Sequence, residues 1–321
     1  MMRVGAIDCG TNSIRLLVAD VDDETGAITD ILRRMEVVRL GQGVDRTGRI
    51  DPVALERTLA MALEYAGQCR ELGAQSVRFV ATSASRDAEN ASEFVAGVES
   101  AFEFFGTTPE VVSGDEEARL SFAGATGDLR AAGIPGPYLV VDLGGGSTEF
   151  VRGTTEVVEA LSVDMGCVRM TERHLHDDPP TEEQVNGALG DIERLLDEVE
   201  AKVGFGGAET LVGLAGSVTT ITAHALGLEA YEPGRIHLAE LPAEELMAAS
   251  SDLLHRSRAQ RAELGFMHSG RVDVIGAGAL VWHAVIRRTL EARPGVRVVT
   301  SEHDILDGIA LSAAGRLAGR G

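Results

Sequence analysis

Two stretches decide the architecture: Val4-Gly5-Ala6-Ile7-Asp8-Cys9-Gly10-Thr11-Asn12-Ser13 and Tyr138-Leu139-Val140-Val141-Asp142-Leu143-Gly144-Gly145-Gly146-Ser147-Thr148-Glu149. Each is a short apolar run that ends on an aspartate and enters a turn of glycine and hydroxyl residues. Apolar runs bounded by turn formers read as strands. Further strand-like runs follow each turn, at 14–21 and 28–39 in the first half and at 149–151 and 157–163 in the second. The two aspartates stand 134 residues apart, a repeat at the scale of a domain and too long for a solenoid.

The rest of each half extends the pattern. A helix opened by Pro52 and stopped by Gly73 precedes a strand at 76–82. A helix through Phe94, Val98 and Phe102, a strand at 109–113 and a helix from near Asp115 give the order β-β-β-α-β-α-β-α. In the second half the spacing predicts a helix over about 181–203, a strand at 209–214 and a helix opened by Gly216-Ser217. Helices near 242–257 and 270–292, a strand at 296–300 and a closing helix at about 304–317 complete it. The expectation is an α/β protein of two similar domains. Residues 1–128 plus about 304–321 form the first and residues 129–303 the second, with facing turns and an interdomain cleft for the ligand.

Composition narrows the function. The 321 residues include 29 Lys+Arg against 50 Asp+Glu, a formal net charge of −21. Such a chain lacks the basic face of a general nucleic-acid or anionic-membrane binder, so neither is expected as a partner. Lys202 is the only lysine, which excludes a P-loop ATPase because no lysine follows a glycine-rich turn. Cys9, Cys69 and Cys167 form no CxxC motif and no disulfide framework, as suits a reduced compartment. The N-terminal apolar run is cut by Asp8, and no run reaches membrane-spanning length. A cytoplasmic location is expected.

The chemistry concentrates in the turns. Glycines let backbone amides approach an anion, and the hydroxyls of Thr11, Ser13, Ser147 and Thr148 add donors. Asp8 and Asp142 suit Mg²⁺, which takes one or two carboxylates together with waters and phosphate oxygens. Either turn alone is also what an ordinary hairpin shows; the pair in matching positions points to a phosphate clamp. A third segment, Ser113-Gly114-Asp115-Glu116-Glu117-Ala118-Arg119, opens a helix with acidic residues that complement its dipole. Glu116 and Glu117 project about 100° apart on a helix, so one of them faces any given site. Arg119 is available to hold phosphate or fix a carboxylate.

In chain order, Asp8-x-Gly10-Thr11-Asn12-Ser13, Ala81-Thr82-Ser83-Ala84-x-Arg86, Ser113-Gly114-x-Glu116-Glu117-Ala118-Arg119 and Asp142-x-Gly144-Gly145-Gly146-Ser147-Thr148-Glu149 resemble the exopolyphosphatase / guanosine pentaphosphate phosphohydrolase (Ppx/GppA) family. Gly213-x-Ala215-Gly216-Ser217 and Arg271-x-Asp273-Val274-Ile275-x-Ala277-Gly278 extend the resemblance over essentially the whole chain. It implies duplicated actin-like domains of the ribonuclease H-like, sugar-kinase and heat-shock ATPase type. It also implies release of the terminal phosphate of inorganic polyphosphate, or of the 5′ γ-phosphate of pppGpp to give ppGpp. A non-catalytic alarmone or polyphosphate sensor and an ATP-dependent sugar kinase or chaperone-like ATPase are the competing classes. In this reading Glu117 is the catalytic base and Glu149 a second catalytic carboxylate. Mg²⁺ or another divalent cation would lie on Asp8, Asp142 and Glu149. Gly10, Thr11, Asn12, Ser13, Arg15, Arg86, Gly144, Gly145, Gly146, Ser147, Thr148, Gly216, Ser217 and Arg271 would hold phosphates. Members often dimerise, so a homodimer is among the expectations.

The chain resembles the short, two-domain form of the family. It departs where Ser301-Glu302-His303-Asp304-Ile305-Leu306-Asp307-Gly308 replaces the Leu-Arg-Glu-Gly of many relatives, which removes one arginine. The segment His174-Leu175-His176-Asp177-Asp178 reads as a polar loop, and residues 181–203 as a solvated helix face. His224, Trp282 and His283 read as packing or capping residues on helices. Cys9 has no histidine base beside it in sequence and is not expected to act as a nucleophile.

Overall fold

The fold is taken from a computed structural model, which describes residues 1–22 and 24–318. β1 (Met2–Cys9), β2 (Ser13–Val21) and β3 (Ile28–Val37) form the expected antiparallel meander. Helix α1 (Val44–Thr47) and helix α2 (Pro52–Glu71) follow. The Asp51 side chain accepts the Val53 and Ala54 amides at the start of α2, where Pro52 has no amide to satisfy. β4 (Ser76–Ala81), α3 (Ser83–Asp87), α4 (Ala91–Ala101), β5 (Glu110–Val111) and α5 (Gly114–Ala131) continue the chain. The sheet order is β3-β2-β1-β4-β5, with β4 parallel to β1 and β5 parallel to β4.

The same order recurs. β6 (Tyr138–Leu143), β7 (Thr148–Gly153) and β8 (Val157–Val163) make a second antiparallel meander. After them come α6 (Cys167–His174), α7 (Glu182–Lys202), β9 (Thr210–Leu214), α8 (Ala215–Ala225), α9 (Pro233–Ile236) and β10 (Ala239–Glu240). The chain ends with α10 (Ala243–His255), α11 (Arg258–Ala262), α12 (Ile275–Ala292), β11 (Arg297–Thr300) and α13 (Ile305–Ala318). The second sheet runs β10-β11-β9-β6-β7-β8, the first sheet's order with one extra edge strand. The chain divides into two units: Met1–Gly124 with the C-terminal segment from Ile305, and Ala125–Asp304. Among the described residues no helix is long and apolar enough to cross a membrane.

Strand alternation places the charged groups. In β1 and β2, Ile7, Cys9, Ile14 and Leu16 pack in a core with Phe79, Phe94 and Phe102. Val4, Ala6, Leu17 and Ala19 pack on the opposite face with Leu120 and α13. Asp8 and Arg15 follow the parity of the second set, so they emerge on the face that carries α5 and α13. In the second unit Leu139, Val141 and Leu143 enter a core built around Trp282, and Asp142 alternates to the other face.

Several elements differ from expectation. Helices α1, α3, α6, α9 and α11 and strand β10 are short, the longest of them eight residues, below the length at which periodicity is readable. His174 accordingly ends α6 and lies 3.3 Å from Asp191 Oδ2, outside the polar loop predicted for it. Helix α7 is charged on one side only; Ala188, Ile192, Leu195, Leu196 and Val199 are buried on the other. The helix expected at 270–292 starts at Ile275, after a separate 3₁₀ turn over Ser269–Arg271.

The altered segment before and within α13 has a packing role. Leu306 is buried in the apolar cluster shared by α13 and the first sheet. Asp307 is wholly buried and takes Arg33 Nη2 of β3 at 2.5 Å. Burial opposes the Arg33 charge, but Asp307 and Asp30 overcome it and raise its pKa. Asp307→Ala should cost about 2–3 kcal/mol in urea unfolding, somewhat below a fully buried pair because Arg33 keeps Asp30. Replacing both partners with apolar residues, Arg33→Met with Asp307→Leu, should recover most of that loss.

Candidate active site

The two loops share one backbone design. Gly10 donates its amide to Ser13 O at 2.9 Å, and Gly144 donates to Ser147 O at 3.1 Å. Each aspartate pairs across its hairpin with the residue seven positions on, Asp8 with Arg15 and Asp142 with Glu149. The same frame therefore carries a cation in the first unit and a carboxylate in the second.

In the first unit Asp8 is buried, and its Oδ2 accepts Arg15 Nε at 2.9 Å and Nη2 at 2.7 Å. Asp8 thus fixes the direction of Arg15. The Thr11 hydroxyl lies 2.8 Å from that of Ser83 at the start of α3. The Thr11 and Asn12 carbonyls accept amides from Gly41 (2.9 Å), Val38 (3.1 Å) and Arg39 (2.8 Å), so the turn is tied down on its carbonyl side.

Glu117 lies in the first turn of α5 and is buried. Its Oε2 takes Arg86 Nη1 at 2.6 Å, and the same nitrogen donates to Val112 O at 2.9 Å. Glu116 turns instead to Arg78 at 2.5 Å. The two neighbouring glutamates thus serve different arginines, as helical geometry requires. Arg86, expected among the phosphate ligands, lies against Glu117. Arg119 is exposed and has no ion pair among the described residues.

In the second unit the glycine loop is held from behind. The amides of Cys167, Val168 and Arg169 donate to the carbonyls of Gly144 (3.0 Å), Gly145 (2.9 Å) and Gly145 (3.1 Å). Arg169 Nε takes Gly146 O at 2.8 Å. The first turn of α6 has no capping side chain, so the loop carbonyls satisfy its orphan amides. A trans peptide sets the next N–H opposite its C=O, so the amides of Gly145, Gly146 and Ser147 point away from α6. A Cβ at Gly166 would lie 2.2 Å from the Gly145 carbonyl, so only glycine lets α6 come this close. Thr148 Oγ1 anchors the far end of the loop on Met165 O.

Asp142 and Glu149 are both buried beside this loop, and Glu149 Oε1 accepts Ser162 Oγ at 2.7 Å. Ser217 is buried in the first turn of α8. The Arg271 guanidinium lies on Gly216, where a Cβ would fall 2.1 Å from Nη2. Arg271 Nη1 also donates to Thr220 Oγ1 at 3.3 Å. Burial pushes the Cys167 thiol pKa up, against a Ser217 hydrogen bond and the Arg271 charge. Burial, then the Asp8 carboxylate, raises the Cys9 thiol well above its ordinary value. Neither cysteine is a ready thiolate.

The first unit thus brings together Asp8 with Arg15 and Arg86 with Glu117. The second groups the glycine loop, Asp142 with Glu149, and Gly216, Ser217 and Arg271. Sequence reasoning missed Ser162, Gly166 and Arg169, which carry no motif and act only by fixing the loop or Glu149.

The Ppx/GppA phosphatase family profile matches residues 17–313. Exopolyphosphatase 2 of Mycobacterium tuberculosis is 48% identical over 320 residues, covering 98% of this chain and 99% of that one. The crystal structure of an exopolyphosphatase-like protein superposes with a TM-score of 0.94 at 45% identity, covering 99% of each chain. The Aquifex aeolicus Ppx/GppA family member gives 0.80 at 30% identity, covering 100% of this chain and 99% of its own.

Two glycine substitutions separate loop support from ligand contact. Gly166→Ala forces backbone against backbone and should cost about 1–3 kcal/mol in urea unfolding. Gly216→Ala meets only the mobile end of Arg271, so its stability should stay within about 0.5 kcal/mol of the parent. It should displace Arg271, so that any phosphate affinity Arg271 contributes falls, measured by calorimetry.

Proposed function

Because the chain belongs to the Ppx/GppA phosphatase family, we propose that it is an exopolyphosphatase, a hydrolase that releases the terminal phosphate of inorganic polyphosphate. The observation that carries the mechanism is Glu117, a buried carboxylate held at 2.6 Å by Arg86. A base needs a fixed direction before it can activate a water, and Arg86 supplies it.

In this reading Glu117 accepts a proton from water as its oxygen attacks the terminal phosphorus. The bridging P–O bond breaks, and the shortened chain leaves with its negative oxygen. The amides of Gly145, Gly146 and Ser147 meet the charge that spreads over the phosphoryl oxygens, and Arg15 and Arg271 hold phosphates of the chain. Gly10, Thr11, Asn12 and Ser13 act in the same way in the first unit, and Ser217 adds a hydroxyl in the second.

Asp142 and Glu149 fit a divalent cation. They are buried cross-strand neighbours, and an all-oxygen donor set of this kind suits Mg²⁺. Mg²⁺ bound there would neutralise phosphate charge and draw electron density from the reacting phosphorus. An ion that also used Asp8 would share that carboxylate with Arg15, so Asp8 is better suited to orienting Arg15.

Phosphate release from long-chain polyphosphate, pppGpp and ATP tests the reading. Polyphosphate should be the best substrate, and Glu117→Gln should lower kcat by about 10²–10⁴-fold with KM little changed. Full turnover in that variant would remove Glu117 as the base. Preferred turnover of pppGpp would reassign the substrate, and binding without turnover would make the protein a sensor.

A further inference from the structure

One cluster of metal-ligating side chains plays no part in the reaction described above. Asp128 of α5, His237 just after α9 and His303 just before α13 all belong to the second unit. His303 Nδ1 lies 2.5 Å and His237 Nε2 lies 3.3 Å from the same atom, Asp128 Oδ2. The imidazole centroids are 4.6 Å apart, with the rings inclined by 40°. One ligand atom from each residue falls within 4.8 Å of the others, and no other trio of His, Cys, Asp or Glu does so among the described residues. The side chains are 42%, 23% and 33% exposed for Asp128, His237 and His303, so an ion can enter from solvent.

We propose that Asp128, His237 and His303 form a binding site for one divalent transition-metal ion, Zn²⁺ by preference, with a water at the open position. Two imidazoles and one carboxylate are a Zn²⁺ donor set. Mg²⁺ prefers oxygen ligands and dehydrates reluctantly, so this site is chemically distinct from the Asp142–Glu149 pair. In the metal-free state each histidine presents an N–H to Asp128 Oδ2. Binding moves each ring proton to the opposite nitrogen, Nδ1 in His237 and Nε2 in His303, with no redox step. The Glu302 amide now points at His237 Nδ1 from 3.3 Å, a long contact that must open when that nitrogen takes the proton. Ion binding is therefore coupled to the 301–303 backbone. Asp128 lies near the start of the second unit and His303 near its end, so the ion ties together the segments by which the chain enters and leaves that unit.

The test uses the full chain, stripped with chelator and held in excess Mg²⁺. Calorimetry should show one Zn²⁺ per chain, undiminished by Mg²⁺, and Co²⁺ should give the visible bands of a low-coordinate, imidazole-ligated ion. His303→Ala and Asp128→Asn should each weaken Zn²⁺ at least ~10-fold with the circular dichroism unchanged. His255→Ala, on the exposed end of α10, should bind like the parent. Absence of Zn²⁺ binding in the unmutated chain overturns the proposal, whatever the variants do. Binding that survives in both His303→Ala and His237→Ala overturns it equally. The readouts are independent of polyphosphate turnover, so failure here leaves the exopolyphosphatase reading untouched.

Discussion

The glycine loop of the second unit rests on one reciprocal constraint, in which its carbonyls cap the first turn of α6. The helix brings orphan amides and no capping side chain; the loop brings three carbonyls that would otherwise point in several directions. Joined, they satisfy each other, and peptide planarity then fixes the amides on the opposite side. Gly166 permits the approach, and Arg169 takes the one carbonyl that the helix does not reach. A fixed set of amides is what the proposed stabilisation of a transferring phosphoryl group calls for.

The hairpins were legible in sequence because they combine two strong local signals, a short apolar run and a turn of Gly, Ser and Thr. The repeat announced two similar units, while the order of strands within each sheet came from the structure. The Glu116–Glu117 pair could be read as two directions from helical geometry alone, and the structure sends them to Arg78 and Arg86. What stayed hidden was held by contacts remote in sequence. Helix α6 has only eight residues and a Gly166 N-cap, and its start is set by loop carbonyls some twenty residues earlier. Arg271 falls outside its expected helix in a separate 3₁₀ turn, which His268 caps by accepting the Gly270 amide at Nδ1. The trio Asp128, His237 and His303 spans more than half the chain, so no spacing rule finds it.

The charge balance also becomes more specific. A chain with net charge −21 is a poor general host for a polyanion. The structure nevertheless directs particular cations. Asp8 aims Arg15, Gly216 seats Arg271, and Arg86 is committed to Glu117. Positive potential is therefore local and oriented. Under the proposed function, recognition would depend on this local geometry more than on long-range attraction.

Burial raises the thiol pKa values of Cys9 and Cys167, which disfavours a thiolate nucleophile and accords with the proposal that water attacks, activated by Glu117. The most direct measurement is an acid-quenched single turnover with terminally ³²P-labelled polyphosphate. Direct attack by water predicts that all released label appears as inorganic phosphate, with none on the protein at any time. Label that appears first on the protein and then chases into phosphate would contradict the account.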